Sequence, residues 1–311
     1  MRKQIPVKMM AIVTCIGMFI VLLQGALVTQ TESGRGCGDD WPLCHGKFVP
    51  AYTLESIIEY SHRIISGVVG LLVIATTIAI FLRLRQRDVR IYAVGALFFT
   101  LLQAALGAAQ VMNPQSDVIL ALHFGFSLLA FTFTLLIVTA VNDALKAERA
   151  QETGEQSIPA AVVTRRFQFA VWLTTLYTYF VVYTGALTSH KDAAGGCLGF
   201  PLCNGEFIPS SLSGVTAVAF THRTSAYLLF IFILILALFA RKAYASVSEI
   251  RQGATWSLVL VIGQLASGAL MIALLGTDAY IFATLLHTII IAVLFAVLSY
   301  LSITVYRKRL K

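Results

Sequence analysis

Charged residues are scarce in this sequence. They make up 12% of its 311 residues, against roughly 25% in soluble domains, while 58% of the residues are hydrophobic. This composition excludes an ordinary soluble domain and predicts an all-α membrane protein with eight transmembrane helices, because eight apolar runs approach the ~20 residues that a spanning helix needs. The runs cover residues 9–29, 57–82, 91–112, 117–141, 166–189, 217–240, 253–275 and 280–305.

Acidic residues are fewer than basic residues, 15 against 23, which gives the chain a net charge of +8. This excess does not indicate nucleic-acid binding, because most of the basic residues fall on one side of an eight-helix arrangement. By the positive-inside bias that side is cytoplasmic. Both termini are therefore predicted in the cytoplasm, and a bacterial plasma membrane is the simplest location. The basic clusters lie within 2–8, 83–90, 146–166, 241–251 and 307–311.

Internal repetition organises the chain. The segment EYSHR at 59–63 is echoed by FTHR at 220–223, and WPLCHGKFVP at 41–50 is echoed by FPLCNGEFIP at 200–209. The repeat predicts two tandem four-helix bundles, 1–141 and 165–311, joined by a cytoplasmic linker at 142–164. Parallel repeats imply a pseudo-two-fold axis along the membrane normal. Because Gly25 aligns with Gly185, the first helix is expected to remain in the fold rather than to be cleaved as a signal peptide.

Cysteine is rare, and no Cys-x-x-Cys pair occurs. Cys37 and Cys44 lie in one predicted outer loop, and Cys197 and Cys203 lie in the other. Thiols outside the cytoplasm tend to oxidise, so we expect a disulfide in each loop. A structural role is favoured, and a redox-active role stays open. Cys15, inside the first helix, is interpreted as a small core residue.

Four of the six histidines occupy equivalent places. His62, His123, His222 and His287 are each expected within the first two turns of an even-numbered helix, near the outer leaflet. A lone histidine there would more often join helices by a hydrogen bond. Two matched pairs instead favour ligation of haem iron by two imidazoles, because a zinc or di-iron site would need more ligands. The other two histidines, at 45 and 190, are interpreted as solvated.

Charged residues flank the histidines on the outer side. Glu59 precedes His62 by three residues and so shares its helix face, whereas Ala219 stands at the equivalent position of the second half. A helix-capping role for Glu59 is the ordinary alternative to a chemical one. Arg63 and Arg223 are interpreted as membrane-interface anchors or as partners of haem propionates.

Together these motifs resemble the haem A synthase family of bacilli and related bacteria, over essentially the whole chain. The resemblance implies oxidation of the C8 methyl of haem O to a formyl group, which gives haem A for terminal oxidases. It implies a cofactor haem b on His222 and His287, and the substrate haem on His62 and His123. In that family the equivalent of Glu59 is essential for the chemistry.

Two other functions compete with this interpretation. A di-haem b-type membrane electron-transfer cytochrome predicts equivalent halves, which the difference between Glu59 and Ala219 disfavours. A quinone-coupled thiol oxidoreductase expects closer cysteine spacing and gives the histidines no role. For the favoured function the expected partners are haem O, membrane lipid and an electron donor that the sequence does not identify. A complex with haem O synthase is also reasonable, because the substrate is a poorly soluble porphyrin.

Overall fold

The fold is built from long apolar helices. In the computed structural model, which describes residues 5–48, 52–112, 117–153 and 163–308, eight helices are long and apolar enough to cross a membrane. The all-helical prediction is therefore confirmed. The helices are Ile5–Gln30 (α1), Leu54–Arg83 (α2), Arg87–Met112 (α3), Asp117–Thr153 (α4), Arg165–His190 (α5), Gly214–Ala243 (α6), Ser248–Ala273 (α7) and Tyr280–Arg307 (α8).

The chain divides into two compact units, Met1–Pro159 and Ala160–Lys311. In the N-terminal unit, α1 and α3 each pack against both α2 and α4. In the C-terminal unit, α5 and α7 each pack against both α6 and α8. Each unit is therefore a ring of four helices. The helix pairs that carry the predicted ligands, α2 with α4 and α6 with α8, occupy opposite corners of their rings.

All eight helices extend beyond the sequence-based bounds at one end or both, and α2 and α4 show why. The hydroxyl of Thr53 accepts a hydrogen bond from the backbone N–H of Ser56 at 3.3 Å and caps α2 three residues before its predicted start. α4 continues to Thr153, into the predicted linker, because residues 144–152 are rich in the helix-forming Ala, Glu and Lys. Lys8 of α1 donates a 2.9 Å hydrogen bond to Asn142 in this extension.

Packing inside each unit uses mostly small and branched apolar residues. In the C-terminal unit, buried residues of all four helices form one cluster at the end opposite the cysteine loop, and the cluster includes Phe167, Leu236, Ile250 and Leu301. Large apolar side chains also point outward from the helices, for example Leu82 at 79% exposure. A lipid-facing helix surface requires such residues.

Candidate functional site

The four predicted ligand histidines lie at similar depth from the cysteine-loop end of their units. His62 and His222 are about 12 Å along the axis from the first residues of α2 and α6, and His123 and His287 are roughly 9–11 Å along α4 and α8. The prediction placed all four within the first two helical turns. In α2 and α6 the histidine instead lies in the third turn, because those helices begin three residues earlier than predicted.

Each histidine ring in the N-terminal unit packs against a glycine of a neighbouring helix. A Cβ atom built on Gly25 of α1 would lie 3.5 Å from Cε1 of His62. One built on Gly107 of α3 would lie 3.3 Å from Cε1 of His123. These glycines therefore provide the space that the imidazoles occupy.

The C-terminal unit repeats this arrangement, with a tighter contact at His222. A Cβ atom on Gly185 of α5 would lie 2.9 Å from Cε1 of His222, and one on Gly268 of α7 would lie 3.4 Å from Cε1 of His287. The repeated glycines were visible in the sequence, but their contact with the histidines was not predicted.

Within each unit the two imidazoles lie at similar depth on opposite helices of the ring, and a glycine leaves room for each of them. Two imidazoles on facing helices are a donor set that suits haem iron. The residues present therefore fit a haem in each unit.

The histidines of the C-terminal unit have hydroxyl partners on their Nδ1 atoms. Thr184 Oγ1 lies 3.0 Å from Nδ1 of His222, and Ser267 Oγ lies 2.9 Å from Nδ1 of His287. In the N-terminal unit, Nδ1 of His62 is buried without a hydrogen-bond partner among the described residues. Sequence reasoning missed Thr184 and Ser267, although both directly precede the repeated glycines.

Glu59 is buried, with 3% of its surface exposed, at the end of the unit that carries the cysteine loop. Its Oε2 accepts a 2.8 Å hydrogen bond from the backbone N–H of Cys37. Its Oε1 forms a 2.5 Å ion pair with Arg63, one turn later in α2. Capping of α2 is the role of Thr53 rather than of Glu59. The carboxylate is therefore held between the helix and the loop.

The two arginines hold the cysteine loops by equivalent contacts. Nη1 of Arg63 donates to the carbonyls of Asp40 and Leu43, both at 2.6 Å. Nη1 of Arg223 donates to the corresponding carbonyls of the second loop, those of residues 199 and 202, at 2.9 and 2.6 Å. Nη2 of Arg223 donates to the carbonyl of Cys197 at 2.8 Å. Loop anchoring is thus an observed role of both guanidinium groups.

Both cysteine pairs form disulfides. Cys37 is joined to Cys44 across a Cα–Cα distance of 4.4 Å, and Cys197 is joined to Cys203 across 4.6 Å. The first pair packs against Tyr60 of α2. Cys15 is buried in α1 outside either disulfide.

Glycine lets each disulfide loop lie directly on the first turn of the following helix. A Cβ atom on Gly36 would lie 2.3 Å from the backbone carbon of Glu55, and one on Gly196 would lie 2.5 Å from the carbonyl oxygen of Val215. His45 is exposed in the first loop, where its Nε2 lies 3.1 Å from the carbonyl oxygen of Gly36. It belongs to the loop rather than to the histidine pairs.

Known proteins match this chain over almost its full length. The COX15-CtaA family model, described as cytochrome oxidase assembly protein, matches residues 8–57 and 51–299. The chain belongs to this family. The heme A synthase of Shouchella clausii is 36% identical over 306 residues, 98% of each chain. The heme A synthase of Symbiobacterium thermophilum is 41% identical over 287 residues, 91% of this chain and 90% of the relative.

A third relative, the heme A synthase of Bacillus licheniformis, is 40% identical over 305 residues, 97% of each chain. The family resemblance inferred from the motifs is therefore confirmed. Membership of the COX15-CtaA family, together with eight helices able to span a bilayer, makes the chain a multi-pass membrane protein.

Proposed function

We propose that this chain is a haem A synthase, an oxidoreductase that converts the C8 methyl of haem O to the formyl group of haem A. Similarity to named heme A synthases over almost the whole chain supports this activity. The observation that carries the proposal is one chemical difference between two otherwise matched histidine pairs. A buried carboxylate, Glu59, lies one turn from His62, whereas buried Ala219 precedes His222.

The resident cofactor is haem b, held by His222 and His287 of the C-terminal unit. Their hydroxyl partners support this assignment, because metal-binding histidines usually have a hydrogen bond at the other ring nitrogen. When bound, this haem supplies one-electron chemistry. The two histidines would hold the cofactor between α6 and α8, inside the ring of four helices.

The substrate haem O binds in the N-terminal unit between His62 and His123. Glu59 is the catalytic residue there. It moves a proton or stabilises positive charge that develops at the substrate carbon. Arg63 holds the carboxylate in place through their ion pair. Arg63 and Arg223 also contact the haem propionates in this proposal, in addition to anchoring the loops.

The cysteine loops face the outside of the bacterial plasma membrane, and both termini are cytoplasmic. The basic turn between α2 and α3 supports this orientation, because it lies at the end of the unit opposite the disulfide. The pseudo-two-fold axis between the halves stays a prediction. Membrane lipid, an electron donor and haem O synthase are the proposed partners, the last because it would deliver a poorly soluble substrate directly.

The decisive experiment measures pigments extracted from protein purified from cells able and unable to make haem O. We expect haem B in both preparations, joined by haem O or haem A only when haem O is available. Two equivalents of haem B in both preparations would instead identify a di-haem b-type electron-transfer cytochrome. The matched glycine contacts of the two units are the observation that favours that second function.

A further inference from the structure

The hydroxyls beside the C-terminal histidines each have a second partner, which fixes the direction of the bond to the ring. Thr184 Oγ1 donates to the carbonyl of Val181 at 2.8 Å, and Ser267 Oγ donates to the carbonyl of Gln264 at 3.0 Å. A hydroxyl has only one hydrogen to donate. Toward the imidazole, each oxygen must therefore accept, so Nδ1 carries the proton.

With its proton on Nδ1, each imidazole has its ring lone pair on Nε2. Both C-terminal histidines are therefore held with Nε2 as the free iron ligand.

The N-terminal unit lacks this support at His62. Gly25 packs against His62 as Gly185 packs against His222, but the residue before Gly25 is Gln24, where the C-terminal unit has Thr184. Nδ1 of His62 and Oε1 of Gln24 are both buried without a hydrogen-bond partner in the described part of the chain. His62 therefore has no hydroxyl bond to select its tautomer or its orientation.

We propose that Thr184 and Ser267 are positioning residues that hold the iron ligands of the C-terminal unit in one tautomer and one orientation, so that this unit retains its haem. At His62 that support is missing, and the N-terminal unit can release haem after turnover. A ligand already oriented loses less rotational freedom when it binds, and a hydrogen bond to Nδ1 makes Nε2 more basic. This inference rests on the proposed assignment of resident and exchangeable haem.

The test measures haem release from the full-length protein, purified with its haem B, loaded with haem O and mixed with excess apomyoglobin as the acceptor. We expect two phases, a slow one from the C-terminal unit and a fast one from the N-terminal unit. Thr184→Val and Ser267→Ala should each accelerate the slow phase about 10–100-fold, the usual effect of removing a partner of a metal ligand. The conservative variants Thr184→Ser and Ser267→Thr should restore slow release.

Matched controls lie on the same helices. Thr174 of α5 and Ser257 of α7 are buried and donate to backbone carbonyls one turn earlier, at 2.8 and 2.9 Å. Thr174→Val and Ser257→Ala should leave the slow phase unchanged. The reduction potential of the slowly released haem should also shift in Thr184→Val but not in these controls. An unchanged slow phase and potential in both Thr184→Val and Ser267→Ala would overturn the proposal.

A variant that introduces a hydroxyl into the N-terminal unit tests the difference between the two units without removing any hydrogen bond. Gln24→Thr places a hydroxyl before Gly25 and should slow the fast phase severalfold, leaving the slow phase as it was. No slowing in a variant that still binds two haems would contradict the contrast between the units. Two equal slow phases in the unmodified protein would instead overturn the assignment of one resident and one exchangeable haem, so the two failures are distinguishable.

Discussion

The backbone N–H of Cys37 donates a 2.8 Å hydrogen bond to Oε2 of Glu59. The other oxygen of this carboxylate is paired with Arg63, whose guanidinium also holds two carbonyls of the same loop. In the C-terminal unit Arg223 donates to the carbonyl of Cys197 instead. In the N-terminal unit the disulfide loop is thus bonded to a helix carboxylate, the group that we assign to catalysis, whereas Ala219 stands at that helix position in the C-terminal unit.

Replacing Glu59 should stop turnover without removing haem. Glu59→Gln keeps an acceptor for the Cys37 N–H but removes the charge, and Glu59→Ala removes both. We expect conversion of haem O to haem A to fall at least 100-fold in both variants, the usual scale for loss of an acid–base group. Haem content, measured by extraction and chromatography, should stay at the unmodified level.

Glu55 offers the matched control for this prediction, because it is an exposed acid one turn earlier in α2. Glu55→Gln should leave turnover unchanged. Retained haem A production by Glu59→Ala would remove this carboxylate from the mechanism.

Removing the first disulfide should lower turnover as well as stability. Converting Cys37 and Cys44 to serine releases a short loop, which costs about 2–3 kcal/mol of stability by the loop-entropy relation. The backbone donor to Glu59 then loses its fixed position. We expect kcat for haem A formation to fall at least tenfold in a preparation that retains haem b.

Removing the second disulfide distinguishes the effect on stability from the effect on turnover. Converting Cys197 and Cys203 to serine should cost similar stability, measured by thermal unfolding, but should change kcat much less, because Ala219 rather than a carboxylate packs beneath that loop. Equal losses of kcat in the two double variants would show that the loops act only on stability.

Sequence patterns predicted the features that depend on composition and repetition. Apolar length predicted eight helices, and the repeat predicted that His62 and His222 take equivalent places. The Glu59 and Ala219 difference was also visible, because aligned copies reveal any substitution. Disulfide pairing followed from two cysteines in each short loop.

Features that depend on side-chain direction were not predictable in the same way. The sequence indicated a membrane-interface anchor or a propionate partner for Arg63, but its guanidinium turns back to loop carbonyls whose positions depend on the folded loop. The Thr184 hydroxyl reaches His222 only because α5 and α6 pack with that register. Thr53 also caps α2 earlier than hydropathy indicates, because capping depends on a hydroxyl rather than on apolar character.

The two histidine pairs should have different effects when they are removed. His222→Ala or His287→Ala should abolish the resident haem b, seen as loss of the haem absorbance in protein from cells unable to make haem O. His62→Ala should leave that haem in place and abolish only conversion of haem O. His45→Asn is the control, because the second loop carries Asn204 at the equivalent position with a similar positive φ of 54°. Loss of all haem in His62→Ala would contradict the division between the units.

The glycine beneath His222 should be far less replaceable than the one beneath His62. A methyl group at Gly185 would lie 2.9 Å from Cε1 of His222, so the ring must move, whereas one at Gly25 would make an ordinary 3.5 Å contact. We expect Gly185→Ala to lower retained haem b at least tenfold, measured per protein after purification, and Gly25→Ala to leave haem b unchanged. Gly67 of α2 has open space around its added methyl and serves as the control, since Ala there should only favour the helix, by up to about 1 kcal/mol. Full haem b in Gly185→Ala would show that the ligand ring does not depend on this contact.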